Sequence, residues 1–414
     1  MMKHILPRGL LEATRLTTAG RLTDATAALQ RMLGGQAAPD SADAQTGRGP
    51  ATIDGTAETV ETAAKPAPQA RPIPGAGQRP SGQANGSMKP RLSEALRGFL
   101  DQVTKGEFEL PGGRPHPAAS PPVAVPDGAK FVALTFSNPA GNRPYKLYVP
   151  SGYHGQPVPL IVMLHGCTQS PDDFAAGTRM NAAAEARTCL VAYPGQTSSA
   201  NMQKCWNWFN EGDQRRDGGE PSLIAGITRE VMRDYAVDAR RVYVAGLSAG
   251  GAAAAVMGNA YPDLYAAIGV HSGLACGAAR DMPSAFTAMQ RGSDGSAQRT
   301  AGSSPQRRVV PAIVFHGDRD TTVNPRNGEA VVAQSAQSAG LRTHTERGQV
   351  PGGHAYSRTL HADTRGQTVI EHWVVQGAAH AWFGGSTAGS YTDPRGPDAT
   401  GEVLRFFLEH PHVG

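Results

Sequence analysis

Beyond about residue 129, short unbroken apolar runs alternate with stretches in which apolar positions recur every three or four residues. The runs at 160–164 and 189–193 suit strands buried on both faces of a parallel sheet, and 241–245, 266–270, 309–315 and 368–375 also read as strands. The stretches 182–187, 223–235, 249–260, 326–339 and 401–408 carry helical spacing. Residues 131–136 and 145–149 read as paired strands across the turn 138–142. Strands alternating with helices predict an α/β fold, a mostly parallel sheet with helices on both faces, over residues 129–414. The Ser/Gly-rich stretch 278–308 interrupts the pattern and reads as a surface insertion.

The first 128 residues are of another kind. A short helical segment is expected in 1–35, where Leu22, Ala25, Leu29, Met32 and Leu33 share one face before Gly34 and Gly35. Residues 36–128 lose periodicity and read as a Pro/Gly-rich linker with a short helix near 90–103. Gly 50 and Pro 32 in 414 residues fit a globular domain with such attachments, and exclude a collagen-like chain. Lys+Arg 39 against Asp+Glu 35 gives +4, too weak a balance to argue for nucleic acid. No run reaches the roughly 18 apolar residues of a membrane span. Glu12, Arg15, Arg21 and Asp24 interrupt any apolar leader core, so a cytoplasmic location is the default expectation, with export as the alternative. The four cysteines form no CxxC or Cys/His ligand spacing, and no metal is expected.

Chemistry is concentrated in a few segments. Gly246-Leu247-Ser248-Ala249-Gly250 places a GxSxG pattern between a buried strand and an Ala-rich helix. A nucleophile at such a turn needs flanking glycines so that backbone can approach closely, and it gains from the positive end of the helix. A serine nucleophile needs a base and a group that orients the base, in chain order Ser, acid, His on this type of fold. His316-Gly317-Asp318-Arg319-Asp320 follows a buried strand and offers two acids. Asp320 is the expected orienting acid, and Asp318 is expected to cap or brace the loop. Among thirteen histidines, His380 follows the last strand in a small-residue loop and is the expected base; His354, His361 and His372 read as structural. The N–H groups of Ala249 and Cys167 are the expected oxyanion donors, the latter from the loop His165-Gly166-Cys167-Thr168-Gln169. Trp206, Trp208 and Trp382 are candidates for an apolar wall beside a substrate, with core packing as the alternative.

LHGCTQ (164–169), CWNWF (205–209), GLSAGG (246–251), HGDRDTTV (316–323), GAAHAWFGG (377–385) and GSYTDPRGPDAT (389–400) together resemble the polyhydroxybutyrate depolymerase family of esterases, a branch of the α/β-hydrolases related to feruloyl and acetylxylan esterases. The resemblance implies an α/β-hydrolase fold, a Ser248–Asp320–His380 triad, and oxyanion donors at Cys167 and Ala249. It also implies a Cys167–Cys205 disulfide and no cofactor. The implied activity is hydrolysis of carboxylic esters, of poly(3-hydroxybutyrate) or its oligomers, through an acyl-enzyme. Feruloyl, acetylxylan or short-chain esters are the alternative substrates, and a vestigial hydrolase-fold interaction protein is the non-enzymatic alternative.

Overall fold

The computed structural model describes residues 123–293, 310–336 and 340–412. The short helical segment, most of the linker with its helix near 90–103, and the second half of the insertion lie outside the described residues.

The strands are β1 (Lys130–Asn138), β2 (Gly141–Val149), β3 (Val158–Leu164), β4 (Leu190–Pro194), β5 (Val237–Leu247), β6 (Ala267–His271), β7 (Ala312–Gly317), β8 (Arg342–Gln349), β9 (Ala355–Ala362) and β10 (Thr368–Val375). They form one ten-stranded sheet in the order β1-β2-β4-β3-β5-β6-β7-β10-β9-β8. From β4 through β10 every neighbouring pair is parallel, while the β1–β2 hairpin and the β9–β8 extension are antiparallel.

Alternation along each central strand feeds two cores. Leu160, Val162 and Leu164 of β3 face one layer, and Ile161 and Met163 face the other. The first layer is closed by α3 (Gly219–Asp234), α4 (Ala249–Ala260) and α6 (Arg326–Ser335). The second is closed by α1 (Pro171–Thr178), α2 (Met180–Arg187) and α7 (Ala399–Glu409). Helix starts follow from sequence. Ser170 caps α1 by accepting Asp173 N–H at 3.2 Å with Pro171 next in line, and Asp398 caps α7 through Gly401 N–H.

The chain departs from the sequence expectations at polar elements. The insertion contains α5 (Met282–Arg291), whose Asp281–Ser284 capping box is a start signal without a long apolar face behind it. β8 and β9 were not expected. β8 reads RTHTERGQ and is exposed along almost its whole length, so no apolar alternation marks it. α1 was missed for a different reason: its eight residues PDDFAAGT open on a proline and two acids and carry a single large apolar side chain, Phe174.

Candidate active site

The central parallel strands end at one edge of the sheet, and Ser248, Asp320 and His380 all stand beyond that edge, after β5, β7 and β10. Ser248 has φ 58° and ψ −119°, a left-handed conformation that a residue with a Cβ adopts at a cost of about 1–3 kcal/mol. The two glycines make the turn possible. A Cβ on Gly246 would lie 2.3 Å from the Gly250 backbone, and one on Gly250 would lie 2.0 Å from the Leu164 carbonyl oxygen. The turn is therefore pressed between β3 and the start of α4. The Ser248 N–H donates to His271 O at 2.9 Å, and Ser248 O accepts the Ala252 N–H, which opens the helix. Ala249 is the first helical residue, and N–H groups of a first turn have no acceptor within the helix.

Asp320 and His380 meet directly, with His380 Nδ1 2.7 Å from Asp320 Oδ2. The other carboxylate oxygen accepts the N–H groups of Thr322 and Val323 at 2.9 and 2.8 Å, so the acid is fixed in its own loop. His316 Nε2 lies 3.4 Å from Asp320 Oδ2 and donates to Val323 O at 2.8 Å, while its Nδ1 is buried without a partner. Burial raises the Asp320 carboxyl, but the charge of His380 and hydrogen bonds from His316 and His380 more than offset it. The carboxyl sits well below the usual carboxylate range. Asp318 is exposed at the same loop and accepts Gly377 N–H at 2.6 Å, and Arg319 N–H donates to Ala378 O. The acid loop thus grips the segment that presents His380.

His271 connects the serine to the histidine segment. Its carbonyl takes the Ser248 N–H, and its ring Nε2 accepts the Phe383 N–H at 3.1 Å, three residues beyond His380. Burial holds its imidazole well below the ordinary histidine value, so it serves as a neutral acceptor.

The loop after β3 is tied at several points. Cys167 and Cys205 are joined by a disulfide, with Cα atoms 4.2 Å apart. Thr168, at φ 66°, donates its N–H to Gln203 O at 2.6 Å. His165 Nδ1 donates to Gly166 O at 2.7 Å, and Nε2 accepts Gln196 N–H at 3.0 Å; burial pushes this imidazole down to about 4. Glu220, buried at the start of α3, accepts Asn207 N–H at 2.7 Å and hydrogen-bonds Gln196, so one carboxylate orients both segments behind the bridge. Burial raises its carboxyl above the usual value.

The aromatic candidates separate. Trp206 is 0% exposed and donates its indole N–H to His165 O, and Trp382 is 1% exposed and donates to Thr400 Oγ1. Both are packing residues in this structure, and neither ring presents a face to a bound ester. Trp208 is nearly buried against Phe209. His354 pairs with Asp393 at 2.8 Å. Gln169, Asp173, Gln196 and Glu220 escaped the sequence reading, because a buried polar side chain that orients a loop leaves no periodic signal.

Residues 143–350 match the family model described as Esterase PHB depolymerase. The chain belongs to this esterase family. Its relatives include Poly(3-hydroxyalkanoate) depolymerase C of Paucimonas lemoignei, 32% identical over 273 residues, which are 63% of this chain and 65% of that protein. Feruloyl esterase B of Thermothelomyces thermophilus is 28% identical over 60% of this chain and 89% of its own length. The chain thus spans a little under two-thirds of the depolymerase relative. Among solved structures, the acetyl xylan esterase from Aspergillus awamori superposes with a TM-score of 0.50 at 24% identity, covering 61% of this chain and 93% of that one, and it shares the α/β-hydrolase fold. The family's esterases and the fold agree with what the sequence pattern implied. Among the described residues, no helix is long and apolar enough to cross a membrane.

Proposed function

We propose that this protein is a serine esterase that cleaves carboxylic ester bonds through an acyl-enzyme, with Ser248 as nucleophile, His380 as general base and Asp320 as the acid that orients it. The observation that carries this reading is the 2.7 Å contact between His380 Nδ1 and the buried Asp320 carboxylate, beyond the same sheet edge as a left-handed serine wedged between two glycines.

The chemistry follows from the geometry. With Nδ1–H donated to Asp320, the other ring nitrogen of His380 is free to take the Ser248 proton as the hydroxyl attacks an ester carbonyl. The ionised Asp320 stabilises the imidazolium that forms. The Cys167 and Ala249 N–H groups are the donors for the tetrahedral oxyanion, and in a water-poor site such donors are worth several kcal/mol. The alcohol leaves with the proton from His380, and water repeats the sequence to release the acid.

Within the family we place the substrate among aliphatic hydroxyacid esters, poly(3-hydroxybutyrate) or its oligomers. The burial of Trp206 and Trp382 supports this, because neither offers a ring on which an aromatic acyl group could stack. The Cys167–Cys205 bridge favours the exported alternative over the cytoplasmic expectation, since disulfides persist in oxidising compartments. The test is a panel containing hydroxybutyrate oligomers, polymer film, short p-nitrophenyl esters, methyl ferulate and acetylated xylan, each assayed with wild type and Ser248→Ala. We expect the highest kcat/KM on the oligomers. A preference for methyl ferulate or acetylated xylan would replace the substrate class, and turnover by Ser248→Ala would remove the mechanism.

A further inference from the structure

The segment following His380 loops out beyond Ser386 and reaches the loop after β3 through Ser390 and Tyr391, and the reaction as drawn gives it no task. Two short strands, β11 (Trp382–Phe383) and β12 (Thr392–Asp393), hold the turn together. At its tip Ser390 meets two buried polar residues, Gln169 and Asp173.

We propose that Gln169, clamped by Asp173 and Ser390, is a positioning residue that sets the direction of the Cys167 N–H; this rests on the reading of that N–H as an oxyanion donor. The Gln169 amide is fully engaged. Its Oε1 accepts Gly166 N–H at 2.8 Å. Its Nε2 faces acceptors, Asp173 Oδ2 at 2.9 Å, Ser390 O at 3.1 Å and Ser390 Oγ at 3.2 Å. A donor at one end and acceptors at the other fix which way the amide points. Ser390 completes the clamp, giving its N–H to Asp173 Oδ1 at 3.0 Å and its hydroxyl to Asp173 Oδ2 at 2.5 Å.

Peptide planarity carries this grip to Cys167. The Gly166 carbonyl and the Cys167 N–H belong to one rigid plane and point in opposite directions. That carbonyl accepts His165 Nδ1–H at 2.7 Å and the Gln169 main-chain N–H at 3.4 Å. Gln169 thus holds the peptide planes on both sides of the Gly166 Cα, one through its side chain and one through its backbone. On the far side, Thr168 N–H is held by Gln203 O, and Thr168 Oγ1 lies 3.1 Å from Tyr391 OH on the same returning segment. Contact with the serine turn is close, since a Cβ on Gly166 would lie 3.6 Å from Ser248 Cβ. Tyr391 O also accepts Trp382 N–H at 2.7 Å, two residues past His380, so one strap spans from the oxyanion loop to the chain leaving the base.

The experiment compares Gln169→Leu, Gln169→Glu, Ser390→Ala and Ser248→Ala on a p-nitrophenyl ester, with folding checked by circular dichroism and thermal melting. Gln169→Leu removes both ends of the amide and leaves an apolar side chain in its place. We expect kcat to fall at least about tenfold with KM within about threefold, since a misdirected oxyanion donor weakens the transition state selectively. Ser390→Ala should show the same split at several-fold. Gln169→Glu sets a second carboxylate against Asp173, and the pair can hold a shared proton only as pH falls. Protonated, the new side chain again offers an acceptor to Gly166 N–H and a donor to Asp173. Its kcat relative to wild type should therefore climb from pH 8 to pH 5, which a merely structural role would not produce. The titratable groups around position 169 are Asp173 on α1, His165 at the end of β3, Lys204 beside the bridge and Tyr391 on the strap, and burial keeps His165 neutral across this range. Wild-type kcat in folded Gln169→Leu and Ser390→Ala, or a flat pH ratio for Gln169→Glu, overturns the inference. If Ser248→Ala remains active, it is the proposed mechanism that fails.

Discussion

Replacing Cys167 and Cys205 together with alanine removes the bridge without leaving a lone thiol, and its consequence divides into stability and turnover. The bridge joins residues 38 apart in sequence. In the chain-entropy picture, closing such a loop lowers the entropy of the unfolded chain by about 13 cal/mol/K, or about 4 kcal/mol at 25 °C. For a domain of about 270 residues, unfolding entropy near the midpoint is about 570 cal/mol/K, so the expected fall in Tm is about 7 °C. Turnover should fall more than binding, because Cys167 N–H is a proposed oxyanion donor and Trp206 packs under the same loop through His165 O. Differential scanning calorimetry and steady-state kinetics on a short p-nitrophenyl ester measure both. A Tm change under about 2 °C would show that the loop is held without the bridge. A large Tm fall with unchanged kcat would separate the bridge from the oxyanion donor and refute the link between them.

Other perturbations address separate parts of the site. Asp320→Asn should lower kcat by about three to four orders of magnitude, since an amide fails to fix the His380 tautomer. Asp318→Asn, which keeps an oxygen for Gly377 N–H, should stay within about tenfold of wild type; the reverse order in folded protein would exchange the two roles. Gly250→Ala forces a methyl to within 2.0 Å of Leu164 O, so it should cost about 1–3 kcal/mol in denaturant unfolding and abolish most activity. A fully active Gly250→Ala variant would mean that the turn is looser than drawn. Glu371, buried between Arg358 and Arg405 with two 2.8 Å contacts to Arg405, gives a pH signature. Burial raises its carboxyl, but the two guanidinium partners more than offset this and hold it below the ordinary value of 4.5. Its stabilisation is present above that value and lost as pH falls through the folded one. The stability difference between wild type and Glu371→Gln should therefore be about 3 kcal/mol at pH 7 and narrow toward pH 3, where a constant difference would contradict the ion-pair reading.

The sequence made the parallel core legible because β3, β4, β6 and β7 are buried along their whole length and are almost wholly apolar. It made the serine turn legible because no residue but glycine fits at 246 and 250. The choice between Asp318 and Asp320 was also open to sequence reasoning, since spacing from the strand end decides which carboxylate can turn inward. Most of what was hidden is polar and carries no period. β8 and β9 extend the sheet beyond its core, β8 exposed and β9 half-buried, so neither needs an apolar run. Trp206 and Trp382 looked like substrate contacts because large aromatic residues near catalytic motifs suit either role, and only burial distinguishes them. Gln169, Asp173 and Ser390 come together through contacts that span 4 to 221 positions, and Glu220 meets Gln196 and Asn207 from 24 and 13 positions away.

The most direct measurement is reaction of the folded protein with a fluorophosphonate, followed by intact mass and peptide mapping. A serine nucleophile with an assembled base and oxyanion hole predicts stoichiometric, covalent labelling on the peptide containing Ser248, concurrent loss of esterase activity, and no label on Ser248→Ala. Labelling at another residue, or an unlabelled Ser248 in protein that still hydrolyses esters, would contradict the proposed site.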